Sequence, residues 1–151
     1  FVWFRDAIGE SEAGMYSERV DVSYRWSMSW FIFSEVMFFA AFFGALYLAR
    51  AHALRDEAVR SGDQAYGAVV WRDGVIVGEA PSRVVTAGDP TAHAEMEAIR
   101  DAARRLRSRD LSGCVLVSTS RPCRMCEAAA AWARIERMVH GDALTDAGPP
   151  S

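Results

Sequence analysis

The sequence predicts an α/β fold, a mixed sheet flanked by helices, preceded by one transmembrane-type helix. Three observations carry this. Residues 26–48 form a 23-residue apolar run with a single ionisable side chain, Glu35. YGAVVWRDGVIVGEA (66–80) reads as two β-rich runs around the hairpin signal Asp73-Gly74. Beyond it, helical and strand patterns alternate, which places further strands beside the hairpin and helices on the faces of one sheet.

At 151 residues the chain is long enough for one compact domain with a core and too short for two full-sized ones. Its 51% hydrophobic content averages a very apolar first third with a polar, Arg-rich remainder. Two segments are therefore expected, a transmembrane helix segment over 1–50 and a folded domain over 51–151. Net charge is −3, with four Arg against six acidic residues in 1–50 and 13 against 14 in 51–151. Neither part has the basic balance of a nucleic-acid-binding surface. Three cysteines cannot all pair, and two of them stand three apart beside a proline. That favours reduced, metal-binding thiols and a cytoplasmic domain over a disulfide framework. The apolar run lies too far inside for a cleavable signal peptide, and the start at Phe1, without an initiator Met, reads as a fragment.

As a helix, residues 26–48 extend ~34 Å at ~1.5 Å per residue, enough for a bilayer core of ~30 Å. Trp26, Trp30 and Tyr47 lie toward its ends, where amphipathic rings favour the interface, and Ala40, Ala41, Gly44 and Ala45 supply a small-residue strip. The alternative, a buried helix of a soluble protein, lacks other segments apolar enough to wrap it. Glu35 would cost about 3 kcal/mol at a bilayer centre unless it faced protein or water, so it is expected to be protonated or partnered. A helix follows over Ala51–Arg60, closed by Ser61-Gly62, and then the hairpin. Next come a loop ending at Asp89-Pro90, a helix from Ala92 to Arg107, a strand CVLVSTS (114–120), a helix from Cys123 to Arg134 and a short strand over Arg137–His140.

Two motifs carry chemistry: His93-Ala94-Glu95 and Pro122-Cys123-Arg124-Met125-Cys126, each at a helix entrance. Positions three apart share a helix face, so the Cys123 and Cys126 thiolates can converge on one ion, and Pro122 suits the entrance. The positive helix end lowers thiol pKa and so favours the ligating form. With His93 they make three protein ligands, and tetrahedral Zn2+ then keeps a fourth position for water. Glu95, two residues past His93, is close to the metal yet offset, as befits a general acid/base that is not a ligand. A lone C-x-x-C would be ambiguous with a redox pair. H-x-E followed by P-C-x-x-C resembles the signature of zinc deaminases.

The longer wording, DPTAHAEMEAIRDAARRL and STSRPCRMCEAAAAWARIERMVHG, resembles the cytidine and deoxycytidylate deaminase superfamily, in particular its guanine, nucleoside and tRNA adenosine deaminase branch. The likeness implies a cytidine deaminase-like mixed sheet flanked by helices, often a homodimer. It also implies zinc-dependent hydrolytic deamination of a guanine-, cytosine- or adenine-type base or nucleoside, with release of ammonia. It makes Glu95 catalytic and His93, Cys123 and Cys126 the metal ligands, and it puts Ser82, Ala94 and Pro122 against the substrate. Two departures stand out. Ser82 occupies a position where that branch usually has asparagine, so a shorter side chain replaces an amide's paired donor and acceptor. The domain also reads as C-terminally shortened, ending at DALTDAGPPS soon after the fourth strand.

The first 50 residues, GESEAGMYSERVDVSYRWSMSWFIFSEVMFFAAFFGALYLAR in particular, resemble the loop and third membrane helix of cytochrome c oxidase subunit III. That likeness makes Glu35 a buried membrane carboxyl and residues 26–48 a membrane contact, with the deaminase part cytoplasmic and the whole chain membrane-associated where the helix inserts. It also keeps a second reading open, a non-catalytic fragment of a terminal oxidase subunit in a chimeric reading frame. Elsewhere, Cys114 is expected as a small buried residue and His52 and His140 as structural or surface residues. Arg100, Arg104 and Arg107 read as a solvated helix face in preference to an RNA contact, and Trp132 as core in preference to a base-stacking platform.

Overall fold

The computed structural model describes residues 2–141 and the backbone of Thr145–Gly148. Phe1 and residues 142–144 and 149–151, on which the readings of a fragmentary start and a shortened end partly rest, lie outside the described residues. The chain divides into two compact units, Phe1–Ala41 and Phe42–Ser151.

In the first unit, α1 (Val2–Glu12) closes at Gly14, whose φ of +69 is a left-handed cap that glycine adopts without strain. Helix α2 (Glu18–Arg60) begins beyond Ser17, whose carbonyl accepts from the Val20 and Asp21 N–H groups. Glu18 and Asp21 occupy its first turn, where the helix dipole favours carboxylates. Much of the segment read as a loop before residue 26 is thus helical. The helices expected over 26–48 and 51–60 are one element, because no proline interrupts them. From Val22 to Leu46 the large apolar side chains of α2 are exposed, and so is Glu35.

The second unit holds a sheet of order β2-β1-β3-β4-β5, formed by β1 (Gly67–Arg72), β2 (Val75–Pro81), β3 (Val115–Ser118), β4 (Arg137–His140) and β5 (Thr145–Gly148). β3 and β4 are parallel and the other neighbours antiparallel, the mixed sheet that the pattern predicts. Asp73 (φ +52) and Gly74 (φ +80) make the hairpin turn, both residues being left-handed. β5 has no forerunner in the sequence reading, since only Thr145 of Thr-Asp-Ala-Gly favours a strand and Asp, Ala and Gly are depleted there.

Alternation along the strands sorts the core into two faces. Ala68, Val70, Leu116 and Met138 pack with Ala94, Ala98 and Ala102 of α3 (Ala94–Leu106) and Ala130 of α4 (Arg124–Trp132). Trp71, Val115, Val117 and Val139 point the other way, onto Tyr47 and Leu48 of α2, and Val69 meets Ala51 and Leu54. The buried residues of α2 are therefore 47, 48, 51, 54 and 58, a helical stripe that begins before the expected start of the domain at residue 51. Tyr47 stacks on Trp71 at 4.8 Å. Two glycines permit these contacts: a Cβ on Gly67 would lie 2.2 Å from the Ala51 carbonyl oxygen, and one on Gly78 2.5 Å from that of Ala98.

Trp132 corrects one expectation: it is 87% exposed and is not core. Helix α4 buries Cys126 and Ala130, and a residue two positions past Ala130 faces away from them. Cys114 is fully buried, as expected, and burial pushes its thiol pKa up. Arg100 pairs with Glu97, and Arg104 with Asp101 at 3.3 Å, so carboxylates on the same helix answer two of the three stripe arginines. His52 and His140 are half-buried.

Candidate metal centre

His93 is the N-cap of α3 and Cys123 the N-cap of α4, and neither side chain caps its own helix. Serine, threonine, aspartate or asparagine would normally stand there, and losing such a cap costs about 0.5–2 kcal/mol. Both helices instead aim their starts, and their uncancelled N–H groups, at one place. The loop into α3 is held by Asp89, which accepts the Thr91 N–H and hydroxyl at 2.8 Å each, while Arg83 N–H donates to the Ala92 carbonyl at 3.0 Å.

The three ligand atoms form a nearly equilateral triangle. Cys123 Sγ lies 3.6 Å from Cys126 Sγ, and each sulfur lies 3.7 Å from His93 Nδ1. A tetrahedral zinc with Zn–S of ~2.3 Å and Zn–N of ~2.0–2.1 Å has S–S and S–N edges of ~3.8 and ~3.6 Å, so the donor set fits. The sulfurs are far outside the ~2.05 Å of a disulfide. Cys126 is buried and Cys123 exposed, leaving an open side to the group. Burial and the neighbouring Glu95 carboxylate raise the Cys126 thiol pKa, a penalty that a bound cation reverses.

Glu95, in the first turn of α3, is 5% exposed, and its Oε2 lies 3.6 Å from Cys126 Sγ. Burial raises its pKa, against its own backbone N–H, Cys126, the His93 charge and the Ser118 hydroxyl, which all favour the anion. The structure thus brings His93, Cys123, Cys126 and Glu95 together, with Ala94 and Pro122 buried beside them. Ser82 is buried too, but its hydroxyl donates to Asp63 at 2.9 Å, so only its lone pairs remain to meet anything else. Glu35 belongs to the exposed stretch of α2 and has no part in this group. Sequence reasoning missed Ser118, although it shares the strand parity of Leu116, which faces α3.

Comparisons with known proteins agree with this geometry. Residues 45–142 match the cytidine and deoxycytidylate deaminase zinc-binding region, and residues 1–56 match cytochrome c oxidase subunit III, so the two matches overlap inside α2. Guanine deaminase of Bacillus subtilis (strain 168) is 41% identical over 102 residues, 67% of this chain and 65% of that protein. The tRNA-specific adenosine deaminase of Aquifex aeolicus (strain VF5) is 43% identical over 89 residues, 58% of this chain and 59% of that protein. The X-ray structure of the Bacillus subtilis guanine deaminase superposes with a TM-score of 0.62 and 40% identity, covering 64% of this chain and 62% of that one. The chain spans less than two thirds of the length of these relatives. The sheet, its flanking helices and the His-Cys-Cys group have their counterpart in one family, and the chain belongs to it: the cytidine and deoxycytidylate deaminases with their zinc-binding region.

Proposed function

We propose that the part of the chain from Phe42 onward catalyses zinc-dependent hydrolytic deamination of a nucleobase or nucleoside, replacing an exocyclic amine by a carbonyl and releasing ammonia. The observation that carries this reading is the triangle of His93 Nδ1, Cys123 Sγ and Cys126 Sγ with the buried Glu95 carboxyl beside it. Zinc, when held by those three residues, supplies a Lewis acid that makes water acidic near neutral pH. Glu95 accepts a proton from the water, delivers it to the ring nitrogen, and carries the second to the departing amine. The water's oxygen stays on the ring carbon, and its protons end on the ring nitrogen and in ammonia. A carboxyl whose pKa is raised by burial suits this double duty, since it must release as well as accept. Ser82, Ala94 and Pro122 are assigned to the substrate side.

Guanine is the first substrate to try, because the alignment with the guanine deaminase is the longer of the two. The test offers guanine, cytosine, cytidine, adenine and adenosine to the zinc-loaded chain. Ammonia release with one zinc per chain supports the reading, and a chain with neither zinc nor ammonia overturns it. The catalytic part is further proposed to be a homodimer, which sedimentation velocity checks.

A second reading concerns location. The apolar stretch of α2 has a mean hydropathy of 1.9, and subunit III of an oxidase matches it. Residues 26–48 are accordingly proposed to hold the chain at a membrane, with the catalytic part on the cytoplasmic side. Extraction of the chain from membranes by alkaline carbonate would refute this.

A further inference from the structure

The loop between β2 and α3 runs from Ser82 to Ala92 and delivers His93. Among its hydrogen bonds, those at its two ends bear on His93 and Ser82. At the metal end, the Arg83 N–H to Ala92 carbonyl bond closes the loop one residue before the ligand. At the other end stands Asp63, in the turn between α2 and β1. Its Oδ1 accepts the Ser82 hydroxyl at 2.9 Å and the Gln64 N–H at 2.8 Å. Its Oδ2 accepts the Val85 N–H at 3.1 Å, the Thr86 N–H at 2.8 Å and the Thr86 hydroxyl at 2.8 Å. A turn aspartate ordinarily satisfies its immediate neighbours. Here four of the five bonds reach some twenty residues ahead, into the segment that leads to His93. Partial desolvation works against the anion, but the donors from Thr86, Gln64 and Ser82 prevail and hold the carboxyl well below the usual range.

We propose that Asp63 is the positioning residue for the substrate side of the site: it pins the loop from Ser82 to Thr86 and takes up the Ser82 hydroxyl hydrogen, so that Ser82 meets the substrate as an acceptor only. The inference rests on the deaminase reading above. It gives that reading a chemical class, a base that turns an N–H or amino group toward Ser82, because a ring lone pair there would face another lone pair. Asparagine at position 63 keeps the shape, but its amide NH2 has no lone pair for the donors that now share Oδ2.

The test compares the parent, Asp63→Asn and Thr86→Val in the full chain, zinc-loaded in detergent, with guanine as substrate. For Asp63→Asn the expected result is a KM about tenfold higher with kcat within about threefold, as when hydrogen bonds to a charged group are lost. Zinc content stays at the parental level. Hydrogen exchange at the Val85 and Thr86 amides accelerates about tenfold, while the Ala98 and Ala102 amides keep the parental rate. Thr86→Val, which removes one side-chain donor and keeps both amide bonds, raises KM in the same direction by about threefold. An unchanged KM in both variants, or a joint fall of kcat, zinc content and melting temperature, overturns the inference. Should Asp63→Asn fail to fold, Thr86→Val decides alone, and an unchanged KM there overturns it. A zinc-loaded parent that releases no ammonia from guanine defeats the guanine assignment separately, and unchanged loop exchange in Asp63→Asn then overturns the clamp by itself.

Discussion

Helix α2 contains two kinds of apolar surface. From Trp26 to Leu46 the large side chains are exposed on every side of the helix, whereas from Tyr47 to Ala58 the buried residues follow one stripe, 47, 48, 51, 54 and 58, against the sheet. Composition marks the first stretch and periodicity marks the second. An all-round apolar helix suits a solvent of hydrocarbon or other helices, while a striped one suits a single neighbour. The two family matches divide along the same line and overlap over residues 45–56. The stripe therefore belongs with the deaminase sheet even though its first residues continue the apolar run.

The largest expected effect separates the reactive unit from the rest. Glu95→Gln lowers ammonia release by about 10²–10⁴-fold with zinc retained, measured as kcat beside metal analysis; loss of zinc would make Glu95 a ligand instead. The next effect tests where the sheet-bearing fold begins. A chain starting at Phe42 keeps the stripe, whereas one starting at Ala51 loses Tyr47 and Leu48 and is less stable by roughly 3–6 kcal/mol, at 1.5–3 for each buried large side chain. Urea denaturation of the two chains checks this, and equal midpoints would favour a boundary at residue 51. Smaller again is Gly78→Ala. Its Cβ would meet the Ala98 oxygen and Ala102, so α3 must shift, at about 1–3 kcal/mol by thermal melting.

The smallest effect is electrostatic. The hydroxyl and N–H of Ser112, with Arg134, hold the pKa of exposed Asp110 at about 2, below its usual range. A depressed carboxylate pKa stabilises the fold above its unfolded value, near 4, and that contribution is lost as pH falls through about 2. Asp110→Asn therefore melts slightly below the parent at pH 7 and together with it below pH 2.

Most of the site was legible because its residues stand where backbone rules put them. His93 and Cys123 mark two helix starts, Cys126 follows at the spacing that shares a face, and Asp73-Gly74 makes the hairpin turn it signals. Only the start of the stripe on α2 was hidden: Tyr47 and Leu48 lie at the end of an unbroken apolar run, and polar residues mark the opposite side of the helix only from Arg50 onward. Trp132, expected as core, is exposed, and Cys126 and Ala130 already fix the buried face of α4. Asp63 and Ser118 left little local mark, since the partners that tie them to the site, Ser82 and Glu95, lie about twenty residues away in sequence and only the folded chain joins them.

The uncapped starts of α3 and α4 have a consequence for heredity. At position 123 a serine would tie down its helix better than cysteine does, and at position 93 asparagine or aspartate would do so better than histidine. Selection for stability alone would thus favour chains that wind more tightly and lack the three-donor set. Lineages that keep the imidazole and the sulfur do so against the grain of folding.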